Sequence, residues 1–250
     1  MTATRKPQIT SAAPGASVED VLRREAETQN VPPVLMRPHC PDIGLADLPR
    51  DRYYSRRVHD LEVERMWRKV WQMACRVDDL PEVGDSIVYD IADDSIIVVR
   101  VGPDLIKGYY NTCLHRGTAL RAADGNLPAF RCPMHGWTWN LDGTLRDLPC
   151  GWDFPHVDPA SLTLPEVRVD TWDGWVFVNL DLDAESLPSY LEDIPEHFHQ
   201  LDLPDRYKAV HVAGRVPCNW KVALEAFMET YHVPYTHPEF IKFGAFLGWA

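Results

Sequence analysis

The hydrophobic pattern of the first 80 residues predicts helices. In "LEVERMWRKVW" the apolar residues repeat at i, i+3, i+4, i+7 and i+8, which places them on one face of a helix. These residues are Val63, Met66, Trp67, Val70 and Trp71. A shorter helix is predicted at "SVEDVLRREAE", where a serine precedes an acidic first turn. Because prolines interrupt residues 32–49, we expect an N-terminal arm over residues 1–50 and a helical lead-in over residues 51–80.

After residue 80 the pattern becomes that of antiparallel strands. The runs "DSIVYDI", "SIIVVRV" and "IKGYYNTC" are short, rich in β-branched or aromatic residues, and separated by Asp, Gly and Pro turns. The same texture returns in "GWTWNLDGTL" and "DTWDGWVFVNL", where Asp142-Gly143 and Asp173-Gly174 are hairpin signals. We therefore predict a small β domain over residues 81–170.

Residues 171–250 favour helices again. One helix is predicted after Pro188, and another at "NWKVALEAFMETYH", which Pro234 would end. Between them, "YKAVHVAGRV" has the composition of a strand. We expect this part of the chain to begin a second domain.

Composition and charge exclude several classes of protein. The chain of 250 residues can bury a sizeable core, and its formal net charge of −12 argues against nucleic acid or an anionic membrane as a main partner. No signal peptide is evident, and the longest apolar run, "SIIVV", is too short to span a bilayer. We therefore expect a cytoplasmic setting. There, the six scattered cysteines would be reduced thiols or metal ligands.

Two Cys/His pairs in the predicted β domain indicate a metal site. Cys113 and His115 form a C-x-H pair, Cys132 and His135 form a C-x-x-H pair, and 16 residues separate the two pairs. Structural zinc usually takes two cysteines from one pair and two histidines from the other. A [2Fe–2S] cluster fits mixed pairs better, because one iron can bind both thiolates and the other both imidazoles. Thiol redox chemistry would need a C-x-x-C motif, which the chain lacks.

"CLHRG" and "CPMHGWTWNLDG" resemble the Rieske signature of ring-hydroxylating oxygenase α subunits. By that resemblance Cys113 and Cys132 would bind one iron. His115 and His135 would bind the other. Cys150 lies outside the signature and is predicted to be a structural thiol.

The same resemblance assigns roles to residues around these ligands. Gly117 and Gly136 would keep the two loops compact. Trp137 and Trp139 would shield the cluster from water, although packing in the core would also explain them.

A second possible metal site lies in "NWKVALEAFMETYHVPYTHPEF". On a continuous helix Glu225, Glu229 and His232 would lie on one stripe, and His237 would follow from the next turn. Ferrous iron that activates O₂ commonly binds two histidines and one carboxylate. Hydrogen-bonded core histidines are the alternative for this segment taken alone.

This segment also resembles the start of the catalytic domain in the same family. By that resemblance His232 and His237 would be iron ligands. Glu229 would take the place of the bridging carboxylate, which joins the Rieske histidine, here His135, to the iron-bound histidine. In the family, the two sites that it joins belong to adjacent subunits of a ring-shaped trimer.

Two positions depart from the pattern of the ring dioxygenases. Glu229 replaces the usual Asp, as in members that act on quaternary ammonium compounds, and Ala226 stands where Asn is frequent. The third iron ligand in the family is an acid far downstream, whereas Glu239 is the only acid after His237. We therefore expect an N-terminal portion of an α subunit, with the third ligand beyond residue 250.

Together, the resemblance implies an α+β chain: an antiparallel β Rieske domain, then the start of an α+β, helix-grip-like catalytic domain over residues 171–250. It implies a Rieske [2Fe–2S] cluster, a mononuclear Fe(II), O₂, and hydroxylation or oxidative demethylation of an aromatic or quaternary-ammonium substrate. Electrons would come from an NAD(P)H-dependent reductase, with or without a ferredoxin, to a homotrimer with or without a β subunit.

Two alternatives stay open at this point. A Rieske ferredoxin-like electron carrier would need neither the long N-terminal arm nor the helix before His232. A zinc-stabilised binding module would hold zinc and show no colour.

Overall fold

The structure of the chain, a computed structural model, describes residues 18–28, 30–31, 33–36, 46–229, 232–237 and 239. The strands are β1 (Gln72–Arg76), β2 (Asp85–Ile91), β3 (Asp94–Gly102), β4 (Leu105–Tyr110), β5 (Gly125–Asn126), β6 (Phe130–Arg131), β7 (Thr138–Trp139), β8 (Leu145–Asp147), β9 (Glu166–Trp172) and β10 (Trp175–Asn179). The α-helices are α1 (Val18–Ala26), α2 (Asp51–Tyr54), α3 (Arg56–Glu62), α4 (Leu187–Leu191), α5 (Ile194–Phe198), α6 (Trp220–Glu225) and α7 (Val233–Thr236). A π-helix at Val63–Trp67 continues α3. Short 3₁₀ helices lie at Pro33–Met36, Val77–Asp79, Gly151–Asp153, Pro159–Ser161, His199–Leu201 and Leu203–Asp205.

Two antiparallel sheets form the centre of the described chain. The larger has seven strands in the order β1-β10-β9-β4-β3-β2-β5, and the smaller has three in the order β6-β7-β8. The predicted α+β class, with its antiparallel β domain, is therefore confirmed. The large sheet runs from residue 72 to residue 179. The division of the chain at residues 50, 80 and 170 stays a prediction.

Strand β3 is buried on both faces. Ile97 and Val99 pack into a core that also holds Cys113 and Cys132. On the opposite face of the strand, Ile96 and Val98 pack into a second core. Because neighbouring residues of a strand point to opposite faces, an uninterrupted apolar run results where both faces are covered.

Both predicted hairpins are present. Asp173 and Gly174 connect β9 to β10 with positive φ angles of 47° and 79°, as a two-residue type I′ turn requires. Gly143 has a φ of 89° in the turn between β7 and β8. A Cβ atom at Gly143 would lie 2.6 Å from the ring of Tyr109, so this close approach also needs glycine.

The helix predicted at "LEVERMWRKVW" begins and ends earlier than its apolar pattern suggested. Helical structure runs from Arg56 to Trp67, so Val70 and Trp71 lie beyond it. Trp71 packs instead in a third core, with Phe177 of β10 and two leucines of α4. A partner so distant in sequence, rather than the local helical pattern, decides where Trp71 lies.

The N-terminal helix is confirmed as α1, although the serine before it lies outside the described residues. The helix predicted after Pro188 is present as two pieces, α4 and α5, separated at Glu192, which has a positive φ of 47°. Pro188 lies in the first turn of α4, where proline is tolerated.

The end of the chain departs from two predictions. Helix α6 ends at Glu225, so Glu225, Glu229 and His232 do not share one helical stripe. Pro234 lies in the first turn of the separate helix α7 instead of ending a helix. The segment "YKAVHVAGRV" forms no strand in the part of the chain that the structure describes, and its valines are exposed. Without a neighbouring strand, its backbone N–H and C=O groups have no partners for the hydrogen bonds of a sheet.

No helix in the described ranges is long and apolar enough to cross a bilayer.

Candidate metal centre

The two loops that carry the Cys/His pairs have the same backbone hydrogen bonds. The Cys113 N–H donates to the carbonyl five residues later at 2.9 Å, and the Cys132 N–H does the same at 2.8 Å. The N–H of Gly117 donates to Cys113 O at 2.9 Å, and that of Gly136 donates to Cys132 O at 3.0 Å. Both glycines have a φ of 76°. The two loops therefore share one hydrogen-bond pattern, although the spacing between cysteine and histidine differs, C-x-H in the first and C-x-x-H in the second.

The two cysteines form a buried pair of free thiols. Cys113 is 1% exposed and Cys132 is 3% exposed, and each lies within hydrogen-bonding reach of the other. Burial raises the pKa of the Cys113 thiol. Burial acts on Cys132 too, but the backbone N–H groups of Met134 and His135 donate to its sulfur and hold its pKa below the ordinary value. These two N–H groups favour the thiolate form of Cys132.

The two histidines form a neighbouring imidazole pair. The ring centroids of His115 and His135 lie 4.6 Å apart at an interplanar angle of 70°. Burial lowers the pKa of His115, and the nearby His135 and Arg116 lower it further. The buried Nδ1 atom of His115 has no hydrogen-bond partner among the described residues. A neutral imidazole whose buried nitrogen has no protein partner is suited to bind a metal.

These four side chains fit a cluster with two irons. The thiols form one pair and the imidazoles form another, so each iron of a [2Fe–2S] cluster would receive two ligands of one kind. The single tetrahedral set that structural zinc requires is a poorer match.

Aromatic side chains pack around His115, whereas His135 is exposed. The ring of Trp137 stacks on that of His115, with centroids 4.9 Å apart and planes within 3°. Phe154 meets both rings edge-on, at 5.9 Å from His115 and 5.6 Å from Trp137. Trp139 is fully buried. The sequence pattern indicated both tryptophans but gave no sign of Phe154, which lies after the motif.

At the second predicted site the structure brings together Glu229, His232 and His237. Oε1 of Glu229 lies 2.5 Å from Nδ1 of His232, and Oε2 accepts the backbone N–H of His232 at 3.1 Å. The ring centroids of His232 and His237 are 5.5 Å apart. Oε1 of Glu239 lies 3.5 Å from Nδ1 of His237. A carboxylate at Nδ1 fixes the tautomer of a histidine and leaves Nε2 available to a metal.

Helix α6, which leads to this second site, is fastened to the N-terminal helices. Nζ of Lys221 lies 2.6 Å from Oε1 of Glu62, and Nε1 of Trp220 donates to Oε2 of the same carboxylate at 3.1 Å. The Tyr53 hydroxyl donates to Glu225 at 2.9 Å, so Glu225 faces α2 and not the histidines. Sequence reasoning missed Glu62 because its partners lie 158 and 159 residues away.

Comparisons with known proteins match both parts of the chain that carry these residues. Residues 70–157 match the Rieske [2Fe-2S] domain. Residues 193–247 match the catalytic domain of the ring hydroxylating alpha subunit. The first match contains both Cys/His pairs. The second contains Glu229, His232 and His237, which we call the acid–histidine group.

Individual relatives are oxygenase subunits. The chain is 27% identical over 198 residues to the glycine betaine monooxygenase oxygenase subunit of Pseudomonas aeruginosa, covering 78% of this chain and 46% of that protein. It is 32% identical over 201 residues to the biphenyl dioxygenase subunit alpha of Paraburkholderia xenovorans, covering 72% of this chain and 42% of that protein.

A solved structure of an oxygenase has a similar fold. The quaternary ammonium Rieske monooxygenase CntA, in complex with L-carnitine, superposes with a TM-score of 0.72 at 29% identity, over 78% of this chain and 56% of that one. The chain thus spans about half the length of the curated relatives it matches. It belongs with the α subunits of Rieske oxygenases and matches their N-terminal portion, a Rieske domain followed by the beginning of the catalytic domain.

Proposed function

We propose that the chain is part of a Rieske non-heme iron oxygenase α subunit that hydroxylates or oxidatively demethylates an organic substrate. The observation that carries this proposal is the pair of matched loops, which bring two buried thiols and two imidazoles together. The acid–histidine group favours an oxygenase over a ferredoxin-like carrier, because a carrier has no use for a second metal site. The match of residues 193–247 to a catalytic domain supports the same choice.

In this proposal each pair of ligands is already prepared for its iron. Cys113 and Cys132 hold one iron, and the lowered pKa of Cys132 favours the thiolate that binds it. His115 and His135 hold the other, and the lowered pKa of His115 keeps that ring neutral. The aromatic side chains around His115 keep water from that ring, whereas His135 is exposed.

Glu229 positions the second site. Its carboxylate holds the Nδ1 proton of His232 and turns Nε2 towards the place where His232 and His237 would bind Fe(II). As the bridging carboxylate of the family, Glu229 would also reach His135 of an adjacent subunit in a trimer. A Rieske cluster and a ferrous ion in these sites would supply one-electron storage and O₂ activation.

The relatives support a proposal for the partners and the substrate. Oxygenase subunits of this kind work with a separate reductase, so we propose that NAD(P)H supplies electrons through a reductase, with or without a ferredoxin. A homotrimer, with or without a β subunit, is proposed as the assembly. The substrate is of quaternary-ammonium or aromatic type, since relatives of both types have similar identities. Glu229 in place of Asp favours the quaternary-ammonium type.

Electron paramagnetic resonance of the chain, expressed with iron and kept anaerobic, tests both sites. We expect a Rieske signal from the reduced sample and a high-spin iron–nitrosyl signal after addition of ferrous iron and nitric oxide. Cys132→Ser should abolish the first signal, whereas Cys150→Ser, at an exposed thiol outside the pair, should keep it. His232→Ala should abolish only the second signal, and His199→Ala serves as its control.

The outcomes separate the alternatives. A Rieske signal without an iron–nitrosyl signal would contradict a second site in this chain and favour an electron-transfer role. The absence of a Rieske signal from an iron-replete sample would refute the proposed cluster. If the nitrosyl signal forms, a change in its shape with glycine betaine or carnitine, but not with biphenyl, would support the quaternary-ammonium substrate.

A further inference from the structure

Helix α6 leads to the second metal site and has only six residues, Trp220–Glu225. Its beginning is attached to the N-terminal helices, because Trp220 and Lys221 both bind the carboxylate of Glu62. The ring of Trp220 also meets that of Trp67 edge-on, with centroids 5.0 Å apart. These contacts hold the first turn of the helix, which is the end farther from the histidines.

The other end of α6 is attached by Tyr53 of α2. The Tyr53 hydroxyl lies 2.9 Å from Oε1 of Glu225 and 3.1 Å from its Oε2. This hydrogen bond raises the pKa of Tyr53, so the hydroxyl stays protonated and donates to the carboxylate. Tyr53 precedes both regions that match family models, residues 70–157 and 193–247. The last residue of α6 is therefore held from a part of the chain outside the matched catalytic segment.

The two attachments lie on one face of α6. Lys221 and Glu225 are at i and i+4, so their side chains are neighbours on the helix surface. Nζ of Lys221 also lies 5.9 Å from the centroid of the Tyr53 ring. Val222 and Leu224, in contrast, are exposed. A helix attached at one end can pivot about that end, whereas attachment at both ends fixes its direction.

The position of Glu225 is passed on to the second site through a short turn. The backbone N–H of Met228 donates to Glu225 O at 3.1 Å, so the chain turns directly after the helix. The next residue is Glu229, whose carboxylate contacts both the backbone N–H and Nδ1 of His232. A shift of the end of α6 would therefore move the carboxylate that orients the imidazole.

We propose that Tyr53 is a positioning residue for the second metal site, because its hydrogen bond to Glu225 fixes the end of α6 from which Glu229 and His232 are placed. This inference rests on the proposed binding of Fe(II) by His232 and His237. Tyr53 acts through Glu225 and does not itself touch the proposed iron ligands.

The test is a titration of the chain with Fe(II), followed by electron paramagnetic resonance after addition of nitric oxide. Tyr53→Phe removes the hydroxyl but keeps the ring below the Lys221 ammonium. We expect it to weaken Fe(II) binding about fivefold, the equivalent of one hydrogen bond, and to broaden the iron–nitrosyl signal. The Rieske signal should not change. The matched control is Tyr54→Phe, at a side chain of the same helix that is 75% exposed, and it should keep the wild-type affinity and signal.

Variants of Glu225 test whether the effect passes through the hydrogen bond. Glu225→Gln keeps a side-chain oxygen that can accept from Tyr53, so it should retain most of the affinity. Glu225→Ala should lose as much as Tyr53→Phe, and the double variant should lose no more than either single variant. Losses that simply add in the double variant would overturn the inference, since the two residues would then act independently.

Hydrogen exchange of the metal-free chain gives a second measurement. In Tyr53→Phe the amides of residues 226–229 should exchange faster than in wild type, with no change in the Rieske domain. Faster exchange along the whole chain would instead indicate general destabilisation and would overturn the positioning role. Wild-type exchange at residues 226–229 together with wild-type Fe(II) affinity would also overturn it, while leaving the proposed function intact. A wild-type chain without a nitrosyl signal would refute the second metal site, and with it this inference.

Discussion

Nζ of Lys221 lies 2.6 Å from Oε1 of Glu62, in a contact between residues 159 positions apart in the chain. The two side chains are only 5% and 16% exposed. Trp220 donates to the second oxygen of the same carboxylate. This ion pair fastens helix α6, and with it the approach to the second metal site, to helix α3.

Removal of one partner of this pair should be strongly destabilising. Glu62→Ala leaves the Lys221 ammonium buried without its counter-charge, which typically costs about 3–5 kcal/mol. Replacing both residues together, as Glu62→Leu with Lys221→Met, should cost much less because no charge stays buried. Urea unfolding of the single and double variants measures the difference. Asp60→Asn is the control, because its ion pair with Arg56 is exposed and should contribute less than about 1 kcal/mol.

The same carboxylate should make stability depend on acid pH. Burial raises the pKa of Glu62, but the hydrogen bonds from Lys221 and Trp220 outweigh it and hold that pKa below its ordinary value of 4.5. The unfolded chain therefore binds the proton more readily, and stability falls as the pH falls below that value. Urea unfolding between about pH 6 and pH 3 should show a steeper loss in wild type than in Glu62→Gln. The exposed neighbour Glu64→Gln should follow the wild-type curve, and equal slopes in all three would contradict the prediction.

A side chain at either glycine of the matched loops should destabilise the chain. Gly117 and Gly136 both have a φ of 76°, which costs an L-residue roughly 1–2 kcal/mol. Gly117→Ala and Gly136→Ala should each lower the free energy of unfolding by about that amount and reduce the iron bound per chain. Gly214→Ala, in open space and without a positive φ, is the control. Iron content and stability as high as in the control would show that the loops do not need this conformation.

Trp137 should protect the metal centre from water and air. Trp137→Ala removes the ring that stacks on His115, so it should destabilise the chain by roughly 3–5 kcal/mol and speed bleaching of the cluster in air. Trp137→Phe keeps an aromatic ring there and should lose less. The comparison variant is Trp152→Ala, at a side chain that is 78% exposed. Bleaching that is as slow in Trp137→Ala as in Trp152→Ala would contradict the shielding role.

The features that sequence predicted correctly are those set by neighbouring residues. Asp173-Gly174 makes its hairpin through local backbone preferences, and Gly117 and Gly136 close their loops in the same way. Each Cys/His pair could be recognised from its spacing, because its two residues lie within one short loop, and the binding of a cluster by these residues stays a prediction.

The features that sequence did not predict depend on distant partners. Trp71 leaves the helical pattern because its core partners lie on β10 and α4. Glu62 looked like any charged helix residue until Lys221 and Trp220 were placed against it. Helix α6 ends at Glu225, although the residues that follow favour helix. Local propensity carries no information about these tertiary contacts.

The burial of β3 on both faces makes the metal centre sensitive to the pairing of this strand. Neighbouring residues of this strand supply different cores, Ile97 on the metal side and Ile96 on the other. A slip of one residue in its pairing would exchange the two sets of side chains and disturb the loops that hold Cys113 and Cys132. The colour of an iron-loaded sample would then report correct strand registration, so a visible absorbance reading could sort well-folded variants from misfolded ones before any purification.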